Sequence, residues 1–203
     1  MIAIIDYGMG NIHSVNKAFQ LYGAETIVTN NAEEIRRSKK IVLPGVGAFD
    51  EAMQELKKRS LISVIREELV KGKPFLGICL GMQLLFEHSA EAGQAQGLGI
   101  LKGRVEQFED KADLKVPHMG WNRLQINKKD CPLLKDLSDS PYVYFCHSYY
   151  PIPVDNDVIA ATTNYGKDFV SVVWQNNVYG VQFHPEKSQR VGLRIIENFL
   201  ALC

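Results

Sequence analysis

Lys73-Pro-Phe-Leu-Gly-Ile-Cys-Leu-Gly-Met-Gln-Leu-Leu-Phe86 is the stretch whose reading decides the fold. Pro74 to Ile78 is an apolar run of the length of a buried strand. Leu80 to Glu87 predicts a helix with Leu80, Leu84 and Phe86 among its apolar positions. Between them, Gly77-Ile-Cys-Leu-Gly81 sets one thiol at the turn, with a glycine two residues to either side. A strand-to-helix turn this tight needs small neighbours, because side chains there would collide with the reversing backbone. It has the pattern of a nucleophile elbow with cysteine in place of serine. Cys79 would then sit at a helix N-terminus, where unpaired amides favour thiolate over thiol. A buried structural cysteine fits the same stretch, and the elbow alone leaves both readings open.

Upstream, strands alternate with helices. Ile2 to Ile5 is fully apolar, as in a central parallel strand covered on both faces. It runs into the loop Asp6-Tyr-Gly-Met-Gly-Asn11 and a helix to about Tyr22, with Asn11 as a candidate cap. A dinucleotide site is disfavoured here: His13 stands where the third glycine of GxGxxG belongs, and no acidic residue follows in Thr26 to Thr29. Thr26 to Thr29 and Lys40 to Leu43 are the next strands. Asn30 to Glu33 has the spacing of a cap and a third-position glutamate. The third strand ends in Pro44-Gly-Val-Gly47, whose glycines free the backbone on both sides of Val46 to aim an amide at a ligand. An ordinary turn fits as well. Phe49 to Lys71 predicts two helices broken near Arg59-Ser60. Such alternation implies parallel pairing, with sites at the carboxyl ends of the strands, where Met9, Val46 and Cys79 fall.

Downstream the character changes. Gly103 to Phe108, Gly120 to Ile126, Tyr142 to Cys146, Asp157 to Thr163, Phe169 to Gln175 and Val178 to Phe183 are short β-like runs, with a tight hairpin at Gln175 to Val178. They predict antiparallel strands that extend the sheet and cover its edge. Gln189 to Cys203 closes the chain as a helix with Ile195/Phe199 and Ile196/Leu200 on its apolar side. The expected architecture is α/β: a mostly parallel central sheet flanked by helices with an antiparallel extension, in a single domain over residues 1–203.

Bulk properties narrow the function. The 203 residues are 46% hydrophobic and balance 23 basic against 23 acidic groups, which argues against nucleic acid or an anionic membrane as partner. No apolar stretch approaches the roughly 20 residues that span a bilayer. Cys79, Cys131, Cys146 and Cys203 show no framework spacing, so a reducing cytoplasm is the expected setting. Zinc would want close-spaced ligand pairs that are missing, and no metal or cofactor is expected.

A cysteine nucleophile needs a base that can return the proton to the leaving group. His13 and His88 fall on predicted helices, and His118 and His147 lie near aromatic-rich turns and stay ambiguous. His184 follows the last β-like run and opens His184-Pro-Glu186. Extended residues two apart project to one side, and Pro185 stiffens the segment, so Glu186 can orient the imidazole as the third member of a triad.

These residues resemble the class I (triad) glutamine amidotransferases, whose nucleophile and His/Glu motifs match Gly77 to Gln83 and His184 to Glu186. Asp6 to Asn11, Pro44 to Gly47, His118-Met-Gly-Trp-Asn122, His147-Ser-Tyr149 and Lys187-Ser188 are similar to the branch of glutaminase subunits that serve imidazole glycerol phosphate synthases in histidine biosynthesis. The resemblance implies a Cys79-His184-Glu186 triad that hydrolyses L-glutamine, with the amides of Val46 and Leu80 as oxyanion hole. It implies glutamine binding by Gly45, Gly47, Gln83, Glu91, His147, Ser148 and Tyr149. It also implies a heterodimer with a (β/α)₈ cyclase subunit, docked on Met9, Asn11, Trp121, Asn122 and Lys187. A paralogue serving sugar amidination or pyridoxal phosphate synthesis, and a catalytically silent binding subunit, remain as alternatives.

Overall fold

The computed structural model describes residues 1–93, 95–109 and 114–203. Its centre is an eight-stranded sheet that begins with β1 (Ile2–Ile5), β2 (Thr26–Thr29), β3 (Lys40–Gly45) and β4 (Phe75–Cys79). Helices α1 (Ile12–Gln20), α2 (Ala32–Arg37), α3 (Phe49–Lys58) and α4 (Leu61–Val70) alternate with them. Strands β1, β3 and β4 are buried on both faces because their side chains feed two separate cores. Ile2 and Ile4 pack on one side, with Phe19 of α1; Ala3 and Ile5 pack on the other, with Ile35 of α2 and Phe49 of α3. A continuous apolar run is what such double coverage requires.

The helix after the elbow is shorter than its sequence predicts. Helix α5 (Leu80–Gln83) is a single turn, and His88 lies not on a helix but on the two-residue strand β5 (His88–Ser89). Leu84, Leu85 and Phe86 are buried all the same. Apolar spacing reported their burial, which irregular backbone meets as well as a helix does. The α2 cap is also displaced by one: Asn31, not Asn30, accepts from the amides of Glu33 and Glu34.

The second half does more than extend the sheet. It comprises β6 (Gly103–Gln107), β7 (His118–Arg123), β8 (Gln125–Ile126), β9 (Tyr142–His147), β10 (Tyr149–Pro153), β11 (Ile159–Asn164), β12 (Asp168–Gln175) and β13 (Val178–Val181). The central order is β2-β1-β3-β4-β13-β12-β11-β8. Strands β12, β11 and β8 form the antiparallel extension, with a tight turn at Asn176 joining β12 to β13. Strand β13 departs from the expectation by pairing parallel to β4, with Gly180 opposite Gly77. Two smaller sheets, β10-β6-β5 and β7-β9, stand apart from the main one and wall the site.

Helix α6 (Gln189–Leu202) closes the face that carries α1, through Ile195, Ile196 and Phe199. It is keyed to the 3₁₀ turn Pro132–Leu134 by Asn198, whose buried amide donates to the Leu133 and Lys135 carbonyls. Asn198→Ala leaves both carbonyls without that donor and is expected to cost about 1–3 kcal/mol, read as a lower denaturant midpoint at constant m-value.

Candidate active site

Cys79 occupies the junction of β4 and α5 with φ 54° and ψ −111°, a conformation that L residues rarely hold. The surrounding contacts explain how it persists. A Cβ at Gly81 would overlap the Leu43 carbonyl of β3, and one at Gly77 would lie 2.6 Å from the Gly81 carbonyl oxygen. The two glycines let the turn close against the neighbouring strand, and that closure leaves the thiol at the sheet's carboxyl edge.

Because β13 lies beside β4, the chain beyond Val181 arrives at the same edge. The His184 amide donates to the Tyr144 carbonyl at 2.9 Å. Pro185–Lys187 then forms a 3₁₀ turn, so Glu186 reaches the imidazole through a tight turn and not along an extended segment. Nδ1 of His184 bonds Oε1 of Glu186 at 2.9 Å, both side chains being buried. With Nδ1–H donated to the carboxylate, Nε2 is left available to the thiol, and His184 and Cys79 line the same cavity. Burial opposes the imidazolium, yet the bonds and charges of Cys79 and Glu186 prevail and push His184 up to about 10. Ser188 fixes the turn: its hydroxyl accepts from the Tyr144 amide at 2.9 Å and donates to the His184 carbonyl at 2.6 Å.

A cavity of about 300 Å³ opens over the thiol, lined by Val46, Gly47, Leu80, Gln83, Glu91, His147, Ser148, Tyr149, His184 and Lys187 among others. Most of the residues predicted for substrate therefore converge on one space. Gly45 does not: it is buried at the end of β3, behind the cavity wall. Glu91 is neither free nor on a helix. Its Oε2 accepts from the Phe49 amide at 2.8 Å and so caps α3 from a distance, and burial raises its pKa. Gln83 donates to the Tyr149 carbonyl at 2.9 Å and to Oε1 of Gln182 at 3.1 Å.

Of the predicted docking residues, Lys187 lines the cavity. Trp121 is 47% exposed, with its ring edge-on to Tyr144. Nζ of Lys187 stands 5.8 Å from the Tyr144 ring centre. Asn11 caps α1, and Met9 lies over Gly47. Asn122 is tied inward instead: its amide meets His118 Nε2 at 3.2 Å and the Asn164 carbonyl at 2.9 Å.

Three residues outside the motifs also shape the site. Gln182 is fully buried, with Nε2 3.8 Å from the Cys79 sulfur. A lone amide in the apolar run Val178 to Phe183 was its signal in the sequence. Pro117 and Cys146 line the cavity without any such signal. The two ambiguous histidines prove to be one buried unit: His118 Nδ1 meets His147 Nε2 at 3.0 Å, and His147 Nδ1 meets the Tyr149 carbonyl at 2.8 Å. Only a donor can meet a carbonyl, so His147 carries its proton on Nδ1 and accepts from His118. Among the described residues, no cluster of three or more His, Cys, Asp or Glu is placed to hold a metal ion.

Burial lowers His147 to about 3 and His118 to about 4. Depressed pKa values favour the fold above the unfolded value near 6.5, and that contribution is lost as pH falls. Each group takes up a proton on unfolding at low pH, so stability is expected to decline from pH 7 to pH 5. His147→Gln should flatten that decline by up to about 1.4 kcal/mol per pH unit, measured by chemical unfolding across the pH series.

A family model described as glutamine amidotransferase class-I matches residues 3–203. The imidazole glycerol phosphate synthase subunit HisH of Cyanothece sp. is 50% identical over 202 residues, covering 99% of this chain and 95% of the relative. The subunit of the same name from Salinibacter ruber is 48% identical over 207 residues, covering 100% and 94%. Among solved structures, PurLQS from Thermotoga maritima superposes with a TM-score of 0.77 at 18% identity, covering 98% of this chain and 96% of that one. At such identity the superposition speaks to the fold alone, and the fold it speaks to is the one described above. The near-complete matches in sequence carry the assignment: the chain belongs to the class-I glutamine amidotransferases and, within them, to the HisH subunits of imidazole glycerol phosphate synthase.

Proposed function

We propose that the chain hydrolyses L-glutamine through a Cys79-His184-Glu186 triad and passes the ammonia to a cyclase subunit for histidine biosynthesis. The observation that carries this reading is the His184 imidazole, bonded to Glu186 and lining the same cavity as the Cys79 thiol. The Cys79 thiolate attacks the side-chain carboxamide carbon. The amides of Leu80 and Val46 hold the tetrahedral oxyanion, a contribution for which a single donor typically accounts for about 10²–10³ in rate. Collapse breaks the C–N bond as His184 gives its proton to the departing ammonia. His184 then takes a proton from water, the hydroxide adds to the thioester, and the C–S bond breaks to release glutamate and restore the thiolate.

Gln83, Glu91, His147, Ser148 and Tyr149 bind the glutamine in this reading, with Gly47 at the rim and Gly45 acting through the backbone it supports. The α-ammonium group finds its counter-charge in Glu91. Ammonia released into water at neutral pH would be protonated and lose its nucleophilicity, so a partner over the cavity mouth serves the chemistry. Val46 is exposed at the cavity, and Met119 and Trp121 on β7 are exposed apolar side chains that such a partner could cover. An anchor of this kind, ringed by Met9, Asn11, Asn122 and Lys187, suits a (β/α)₈ cyclase in a heterodimer. Residues 1–203 act as a single domain. No helix among the described residues is long and apolar enough to cross a membrane, which agrees with a cytoplasmic setting.

Isolated protein is expected to hydrolyse glutamine slowly and to gain on the order of 10²-fold or more when the cyclase subunit and imidazole glycerol phosphate are added. Equal rates in a coupled glutamate assay would remove the role given to Val46. Cys79→Ala should abolish glutamine-dependent synthesis by the complex while ammonium-dependent synthesis and docking persist. Loss of both would make Cys79 structural, and full glutaminase activity in Cys79→Ala would refute the triad.

A further inference from the structure

Tyr7 ends its side chain in an unusual place. The residue is fully buried, and its hydroxyl has no hydrogen-bond partner among the described residues. A buried donor without an acceptor is destabilising, and native structures rarely keep one without a reason. This hydroxyl lies against Gly45, where a Cβ would overlap it; the same Cβ would stand 3.0 Å from Leu80 Cβ and 3.3 Å from the Gly81 amide nitrogen. Gly45 is the residue immediately before Val46, and its carbonyl belongs to the peptide whose N–H is Val46's.

The two sides of that peptide face different surroundings. The Cys79 side chain belongs to the core on one face of the sheet, the one that holds Val42, Ile78 and Phe183. Tyr7 belongs to the core on the opposite face, with Leu43 and Met82. In a trans peptide the C=O and N–H point in opposite directions. Turning the Val46 N–H toward the substrate oxygen therefore turns the Gly45 C=O toward the face where the Tyr7 hydroxyl lies. Gly45 and Gly47 make that rotation sterically free; Gly47 already has φ +100°.

We infer that Tyr7 is a positioning residue whose hydroxyl receives the Gly45 carbonyl when the Val46 amide turns into the oxyanion hole. The resting state leaves a buried donor unsatisfied, and the turned state satisfies it, so the hydroxyl biases the loop toward its active form. The loop that carries Tyr7 also reaches the outer surface. Met9 Cε would stand 2.8 Å from a Cβ at Gly47, and a Cβ at Gly10 would stand 3.6 Å from the Gly45 Cα. Pressure on Met9 from a docked partner is thereby delivered to both ends of the Gly45–Gly47 segment.

The inference rests on the reading that Val46 completes the oxyanion hole, and the test separates the two. Glutamine turnover is measured for the wild-type chain and Tyr7→Phe, each with and without the cyclase subunit and imidazole glycerol phosphate. Wild-type turnover that does not rise with the cyclase would overturn the rotation itself, and Tyr7's role with it. With activation present, Tyr7→Phe is expected to lower the stimulated kcat on the order of tenfold, leaving KM for glutamine and ammonium-dependent synthesis unchanged. Its melting temperature should equal or exceed wild type, since the substitution removes an unpaired donor. Inactivation of Cys79 by a glutamine-mimicking chloroketone should slow by the same factor. Unchanged stimulated kcat in Tyr7→Phe, or a fall in kcat that comes with lower melting temperature and weaker docking, would overturn the inference.

Discussion

The close approach of Gly81 to the Leu43 carbonyl is the constraint on which the site depends. It is a contact between two backbones, so only a residue without a side chain can make it. With it in place, the chain turns out of β4 at Cys79 in a conformation that would otherwise relax, and the first turn of α5 is pinned to β3. Any substitution that lifted this turn from the sheet would move the thiol relative to both His184 and Val46, because each of those rests on a strand adjacent to β4. The strain at Cys79 is held by the sheet and not by α5, whose single turn is too short to hold it.

The second dependence is the neighbour relation between β4 and β13. The nucleophile and its base are 105 residues apart in sequence (184 − 79), yet their strands are hydrogen-bonded partners. The long excursion through β5 to β12 supplies cavity wall, including His147 and Tyr149. Buried neutral imidazoles at His118 and His147 make that wall rigid at neutral pH. The same burial makes it the part of the structure most exposed to acid.

Much of this was legible in the residues. The elbow, the Gly45–Gly47 loop and the His-Pro-Glu segment announce themselves because glycine and proline act locally, and local steric rules need no tertiary context. The early alternation of strand and helix is legible for the same reason: strands buried on both faces must be apolar throughout. What failed to show depends on packing between distant segments. Leu84 to Phe86 are as apolar as a helix would demand, but their burial is met by irregular backbone. The parallel setting of β13 cannot be told from an antiparallel one by the composition of Val178 to Val181. Gln182 and the His118–His147 pair take their meaning from partners roughly 30 to 100 residues away, and nothing in the local sequence of Gly45 tells that the Tyr7 hydroxyl lies against it.

The insertion of β13 beside β4 also has a consequence in time. A parallel pairing across so long a sequence interval closes slowly, since the loop must be ordered before its contacts repay that ordering. During synthesis from the N-terminus, β1 to β4 can assemble while β13 is still inside the ribosome, leaving one edge of β4 open. That open edge is apolar and unprotected, and so prone to mispairing until the last strand arrives. The thiol is meanwhile without its base. Reactivity at Cys79 is thus deferred to the final stage of chain completion, and a truncated chain that lacked residues 178–203 would carry the nucleophile without the base that serves it.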